Sequence, residues 1–349
     1  MKMAERSRAV ALLTLFTIVA AGGTACGGNA SGASPAGPYV YWAEQGAMKK
    51  VNVDGGTVAT VANSYTATGM AADSSYIYFH NSNGLNKVPK ANNGAASGLN
   101  GGVLVLTPNM GSPTDPGNNW MAVDATSVYW VEGGNGAGAV KKVPLDGGAI
   151  TTLASGLSSP VSLAIDGGNV YWTDRTGFVN KVGIAGGTVT TLYDGTSHGA
   201  APNGIAVDAQ SVYWGEATVS NSAIVSGAGA IKKIGVAGGA VATLASGLDS
   251  PTDLTVDSQS VYWIEYPDFT SWGSVASIMK VGLAGGSPTP LASGQTNARG
   301  IVSDTASVYW LDSSNGTPTG TVQKVSVNGS AVTAIATGLA GPNDIVIDR

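Results

Sequence analysis

Cysteine and histidine are nearly absent: the 349 residues hold only Cys26, His80 and His198 of these types. A lone cysteine excludes a disulfide framework and a thiolate zinc cluster, and two histidines leave little for a metal triad or a nucleophile–base pair. Charge is also scarce, at 11% of residues, with 17 Lys and Arg against 22 Asp and Glu and a net charge of −5. That sign opposes steering onto nucleic acid or anionic lipid, so no nucleic-acid partner is expected. Beyond residue 38 no segment sustains a capped apolar period of 3.6 residues, which excludes a helical body. Glycine, by contrast, is abundant, with 51 copies.

Residues 1–25 have the layout of an export signal: Lys2, Arg6 and Arg8 precede an apolar run from Ala9 to Ala21, followed by small residues up to Ala25. That run is too short for a permanent membrane span. The region resembles a bacterial lipoprotein signal, with Cys26 as the lipid-accepting residue; Thr24 and Ala25 suit that pattern and Gly23 departs from it. The resemblance implies an exported protein of the cell envelope, held to the membrane only through a lipid anchor at Cys26, or secreted if Cys26 is not lipidated. Removal of residues 1–25 takes Lys2, Arg6, Arg8 and Glu5 and leaves a net charge of −7. Residues 26–38 read as a flexible Gly/Ala/Ser linker, and 39–349 as the folded body.

The body is repetitive. An aromatic pair recurs at Tyr41-Trp42, Tyr78-Phe79, Tyr129-Trp130, Tyr171-Trp172, Tyr213-Trp214, Tyr262-Trp263 and Tyr309-Trp310. Each pair lies among four short β-branched, apolar segments bounded by Gly, Asp or Pro. Seven such units predict an all-β fold, a seven-bladed β-propeller of four-stranded antiparallel blades. The chain ends on Asn343-Asp344-Ile345-Val346-Ile347-Asp348, a first strand with no aromatic pair after it, and the body begins on Val40-Tyr41-Trp42 with no first strand before it. Pairing of these halves is expected to close the ring. Tyr171-Trp172-Thr173-Asp174 is similar to the YWTD signature of low-density-lipoprotein-receptor propellers, and Pro202-Asn203-Gly204-Ile205-Ala206-Val207-Asp208 resembles the opening strand of NHL-type repeats. The resemblance implies fold far more than function, and seven units depart from the six usual in YWTD propellers.

Three charged columns repeat: Lys50, Lys87, Lys142, Lys181, Lys233, Lys280 and Lys324; Asp73, Asp124, Asp166, Asp208, Asp257, Asp304 and Asp348; and Glu44, Glu132, Asp174, Glu216, Glu265 and Asp312. Columns present in every unit suggest turn capping and ion pairs, or else an acidic ring holding a cation. The Asp-to-Tyr turn and the mostly Gly-Gly third-to-fourth turn are uniform and fall on one rim. Insertions at 91–118, 215–230, 264–277 and 311–321 are assigned to the opposite rim, where binding residues tend to sit. Positions four and five before each repeating Asp vary in type and are expected at the channel mouth on that rim. From these positions and the loops around them the candidate ligand-binding residues are Asn119, Trp120, Asn203, Asp253, Arg299, Asn343, Asp344, Tyr266 and Trp272.

The expected function is that of a non-enzymatic binding or scaffold protein, its partner an envelope or extracellular protein or an extended ligand, with no catalytic residue and no cofactor assigned. The alternative is a calcium-dependent propeller enzyme of lactonase or lyase type. The resemblance to such propellers would make Asn203, Asp253 and Asp344 oxygen ligands, with His198 as the acid–base candidate and His80 structural.

Overall fold

A computed structural model describes residues 37–63, 67–92, 103–108, 110, 120–134, 136–267, 275–313 and 319–348. Seven antiparallel sheets follow one another in chain order, each built on four strands, with one short extra strand, Ala223–Ile224, on the fifth. Blade 1 joins the chain ends, with Asp344–Ile347 as its first strand and Tyr39–Glu44, Ala47–Asn52 and Ala59–Asn63 as the next three. Blade 2 holds Gly69–Ala72, Tyr76–Asn81, Gly84–Pro89 and Leu104–Thr107; blade 3 holds Met121–Val123, Ser127–Glu132, Gly138–Pro144 and Thr151–Leu157. Blade 4 comprises Pro160–Ile165, Asn169–Asp174, Phe178–Gly183 and Thr190–Asp194; blade 5 comprises Ala200–Val207, Ser211–Ser220, Gly229–Gly235 and Ala242–Leu248. Ser250–Val256, Ser260–Tyr266, Val275–Gly282 and Thr289–Thr296 form blade 6, and Ala298–Ser303, Ser307–Asp312, Gly320–Ser326 and Thr333–Leu339 form blade 7. The predicted closure is present: Val40, Tyr41, Trp42 and Ala43 pair with Ile347, Val346, Ile345 and Asp344.

Adjacent residues of a strand face opposite sides, so each Tyr-Trp pair serves two gaps between blades. Trp42 packs with Val302, Tyr309 and Leu311 of blade 7, while Tyr41 packs with Ile77 and Phe79 of blade 2. Likewise Trp310 meets Tyr262 of blade 6 and Trp214 meets Tyr171 of blade 4. The repeating tryptophans are 0% exposed. At about 25 cal/mol per Å², burying each is worth at most about 4–6 kcal/mol. The core is therefore the set of seams between blades.

The five-residue spacing from Asp to Tyr has a geometric cause. Asp166 Oδ1 accepts the Gly168 and Asn169 amides, and its Oδ2 accepts the Tyr171 hydroxyl at 2.7 Å. The same Asp–Tyr bond recurs at Asp73–Tyr78, Asp124–Tyr129, Asp208–Tyr213, Asp257–Tyr262 and Asp304–Tyr309. At the closure Asp348 Oδ2 takes both the Tyr39 amide and the Tyr41 hydroxyl. The expected turn capping thus holds, and these carboxylates do not converge on a common cation position.

The lysine column differs from the expected ion pairs. Each Nζ donates to a main-chain carbonyl of the next blade: Lys50 to Lys90, Lys87 to Leu145, Lys142 to Ile184, Lys181 to Val236, Lys233 to Leu283, Lys280 to Val327 and Lys324 to Val53. Carboxylates come second: Lys87 and Lys324 reach Asp146 and Asp54 at 3.4 Å, on side chains largely open to water. The reason is reach, since a lysine leaving the third strand spans the seam to the neighbour's turn.

Candidate functional site

The first strands surround a central cavity of about 250 Å³. Its walls are the residues just before each repeating Asp, three in six blades and Ile301 and Val302 in blade 7, nearly all aliphatic, among them Ala71, Ala122, Ala164, Ala206, Val302 and Val346. Thr255 is the hydroxyl in this lining, and it bonds Ser303 Oγ at 3.0 Å. The channel is therefore mostly apolar in its side chains, with the Thr255–Ser303 hydroxyl pair the exception.

At the rim the predicted residues form bonds between blades. Asp344 Oδ2 accepts the Met70 amide at 2.6 Å and Oδ1 accepts its own neighbour Ile345 at 2.7 Å. Asp253 Oδ2 accepts the Gly300 amide at 3.2 Å. Asp253 adopts φ +39°, a left-handed conformation at a register shift where other blades place Gly204 and Gly300. Asn343 Nδ2 donates to the Ala67 carbonyl, and the Asn203 carbonyl accepts from Thr173. Burial, opposed by the two amide donors and reinforced by the Asp253 charge, pushes the Asp344 carboxyl up to about 7. Arg299 is half-buried on the same rim, and Tyr266 donates its hydroxyl to the Ala298 carbonyl. The charges of Asp253, Arg299 and Asp312 all act on Tyr266, which places these four side chains around the junction of blades 6 and 7.

Trp120 corrects an expectation. It is 1% exposed and lies on Gly69, where an added Cβ would sit 2.3 Å from the indole. Its Nε1 donates to the Thr68 carbonyl, and its ring meets His80 edge-on. It fills the seam between blades 2 and 3 and is no wall of an open mouth. Asn119 and Trp272 lie outside the described residues. The loop assignment needs a second correction, because the strand Leu104–Thr107 divides the insertion at 91–118. That strand is the fourth of blade 2, so residues 91–118 are not a single loop between blades.

His80 is 6% exposed, bonds the Thr68 hydroxyl at 2.7 Å, and is held below the usual histidine range by burial, with the Met110 carbonyl partly offsetting this. His198 is exposed, with Nδ1 2.8 Å from the Ser197 hydroxyl. Gly195-Thr196-Ser197-His198-Gly199 has Gly-x-Ser-x-Gly spacing. Its setting is a three-residue 3-10 turn, however, and not a strand-to-helix nucleophile elbow.

The calcium alternative fits poorly. A hard cation needs six or more oxygens with ionised carboxylates among them. Both Asp344 oxygens accept amide hydrogens, and Asp253 is engaged by Gly300. Among the described residues no group of three His, Cys, Asp or Glu is arranged to hold a metal.

The third charged column is more informative than it looked in the sequence. Trp42, Trp130, Trp214 and Trp263 donate their indole N–H groups to Glu44, Glu132, Glu216 and Glu265. Trp172 and Trp310, followed by the shorter Asp174 and Asp312, have enclosed indole nitrogens without a partner.

No protein-family model matches the sequence, and no curated protein matches it. Solved structures are similar in fold. A chain of the nidogen/laminin complex is 17% identical, with 90% of this chain and 99% of that one covered and a TM-score of 0.53. A puromycin-hydrolysing peptidase of Mycobacterium tuberculosis is 15% identical with TM-score 0.57, covering 84% of this chain and 50% of that one. The tricorn protease is 13% identical with TM-score 0.53, covering 83% and 34%. This chain therefore spans half the length of the first of these peptidases and about a third of the second. What it shares with all three is a likeness of fold.

Proposed function

We propose that this protein is exported, tethered by a lipid at Cys26, and binds a protein partner on the variable rim of its propeller without chemistry of its own. The carrying observation is the asymmetry of the two rims. One is built from the repeated Asp–Tyr turns and the lysine–carbonyl bonds. The other bears a hairpin extension in blade 5, where Val219 and Ser220 pair with Ile224 and Ala223. Val219, Val225 and Val275 on this rim are 36%, 38% and 56% exposed. The extension is fixed in place: Asp249 accepts Ser226 and Gly227, and its own amide donates to Glu265 at 2.6 Å. A pre-organised projection with apolar side chains suits recognition of a protein surface. The nidogen/laminin chain supplies a propeller of similar fold in a protein–protein complex.

Replacing residues 219–227 by a two-residue Asn-Gly turn tests this reading. The expected result is loss of capture of the envelope partner by the purified protein with an unchanged Tm. Capture retained by the shortened protein contradicts it.

A further inference from the structure

Three blades show how a rim carboxylate is satisfied. In blades 1, 3 and 5 the third-strand residue paired across from the Trp is a lysine: Lys49 opposite Trp42, Lys141 opposite Trp130 and Lys232 opposite Trp214. Lys49 reaches Glu44 at 2.6 Å, Lys232 reaches Glu216 at 2.5 Å, and Lys141 pairs with Glu132. Blade 5 adds an aromatic flank from the preceding blade. The Tyr193 hydroxyl is 2.9 Å from Lys232 Nζ, and the ammonium lies 4.8 Å from the ring centroid.

Blade 7 repeats this frame without the cation. Trp310 is paired with Gln323, whose amide donates to the hydroxyl of Thr321, the residue opposite Asp312, at 2.9 Å and makes no bond to the carboxylate. Asp312 is one methylene shorter than glutamate, so Asp312 Oδ1 and Trp310 Nε1 are both enclosed without a hydrogen-bond partner. Trp310 is 0% exposed, and its N–H points where the sister blades place their carboxylate. Blades 4 and 6 also lack the lysine yet satisfy their acids: Asp174 accepts Ser159 and Thr176, and Glu265 accepts Trp263, Asp249 and Ser250. Asp312 is thus the one acid of the six in this column with a buried oxygen left unpaired among the described residues. Blade 7 has no counterpart of Tyr193, which bonds Glu216 directly at 3.3 Å; the hydroxyl of Tyr266 in the preceding blade is taken by the Ala298 carbonyl.

We infer that Asp312, beside the unpartnered indole N–H of Trp310, is a receptor for a primary alkylammonium group, entering where blades 1, 3 and 5 seat their own lysine. A primary ammonium donates a charge-assisted hydrogen bond to a carboxylate. A quaternary ammonium has the charge but no N–H to give to Oδ1. The inference deepens the binding reading and rests on it for its use: the group a protein partner would insert is a lysine side chain.

The test is titration of the mature protein with n-butylammonium, followed by the Trp310 indole resonance and by calorimetry. Saturable binding is expected, about tenfold or more weaker in Asp312→Asn and in Gln323→Lys, which supplies the missing ammonium from within. Butyltrimethylammonium is expected not to bind. Binding of N-acetyl-lysine methylamide as tightly as butylammonium assigns the site to a lysine side chain, and binding of butylammonium alone assigns it to free amines. No saturable binding in the wild type, equal affinity in Gln323→Lys, or equal binding of the quaternary salt overturns the proposal. If Asp312→Asn does not fold, Gln323→Lys decides. Loss of partner capture with butylammonium binding intact, or the reverse, separates this proposal from the binding-face reading.

Discussion

The ammonium of Lys324 in blade 7 lies 2.9 Å from the carbonyl of Val53 in blade 1, across a sequence separation of 271 residues. The same bond links every other neighbouring pair of blades, from Lys50 onward. A hydrogen bond from a charged donor contributes about 1.5–3 kcal/mol, and a buried carbonyl left unpaired costs about as much. Lys181→Met and Lys324→Met are each expected to lose on the order of 1–3 kcal/mol in urea unfolding. Similar losses show that the closure behaves as an ordinary seam, whereas a neutral Lys324→Met contradicts ring closure through this contact.

Tyr171→Phe removes the hydroxyl that bonds Asp166 at 2.7 Å. Burial would raise the Asp166 carboxyl, but Tyr171, Gly168 and Asn169 together hold it below the usual range. A depressed carboxylate stabilises the fold above its unfolded pKa and loses that contribution as pH falls through the folded value. The variant is expected to lose about 1–2 kcal/mol at neutral pH and less in strong acid. An equal loss at both pH values contradicts the charge-assisted role.

Much of this was legible in the sequence because the repeat is itself a physical constraint. The aromatic pair at period-two spacing identified the second strands, and the five-residue interval from Asp to Tyr set the turn that the Asp166–Tyr171 bond explains. The closure followed from Asp344–Asp348 lacking an aromatic pair. What the sequence could not resolve was the destination of each polar group. A lysine column repeating alongside two acid columns suggests ion pairs, yet the seam sets Lys181 Nζ 2.6 Å from the Val236 carbonyl. Trp120 reads as a non-repeating rim aromatic, and only Gly69 across the seam reveals its seat. The substitution of Asp312 for glutamate was visible all along, but its meaning depends on Gln323 standing opposite Trp310, which requires the register.

Asp344 carries the opposite pH dependence from Asp166. Its folded carboxyl, near 7, keeps a proton that the unfolded chain releases near 4, so its contribution is fully present below about pH 4 and is lost as pH rises to about 7. Asp312, raised to about 6 by burial alone, adds a weaker effect of the same sign. Stability is expected to fall by a few kcal/mol between about pH 4 and pH 7, and Asp344→Asn to flatten that slope. An unchanged slope in denaturant titrations across this range contradicts the assignment.

Cys26→Ser tests the tether. The wild-type protein is expected in the membrane fraction and extracted only by detergent, since several acyl chains at about 0.8 kcal/mol per methylene hold stably. The variant is expected in the soluble exported fraction. A variant that stays with the membrane contradicts attachment through Cys26.

The account turns on which rim meets the partner. A photo-crosslinking residue placed at Val225 on the variable rim, and separately at the exposed Asp146 on the uniform rim, measures this in intact cells. A discrete crosslinked partner from Val225 and none from Asp146 is the predicted result; crosslinking from Asp146 with none from Val225 contradicts the account.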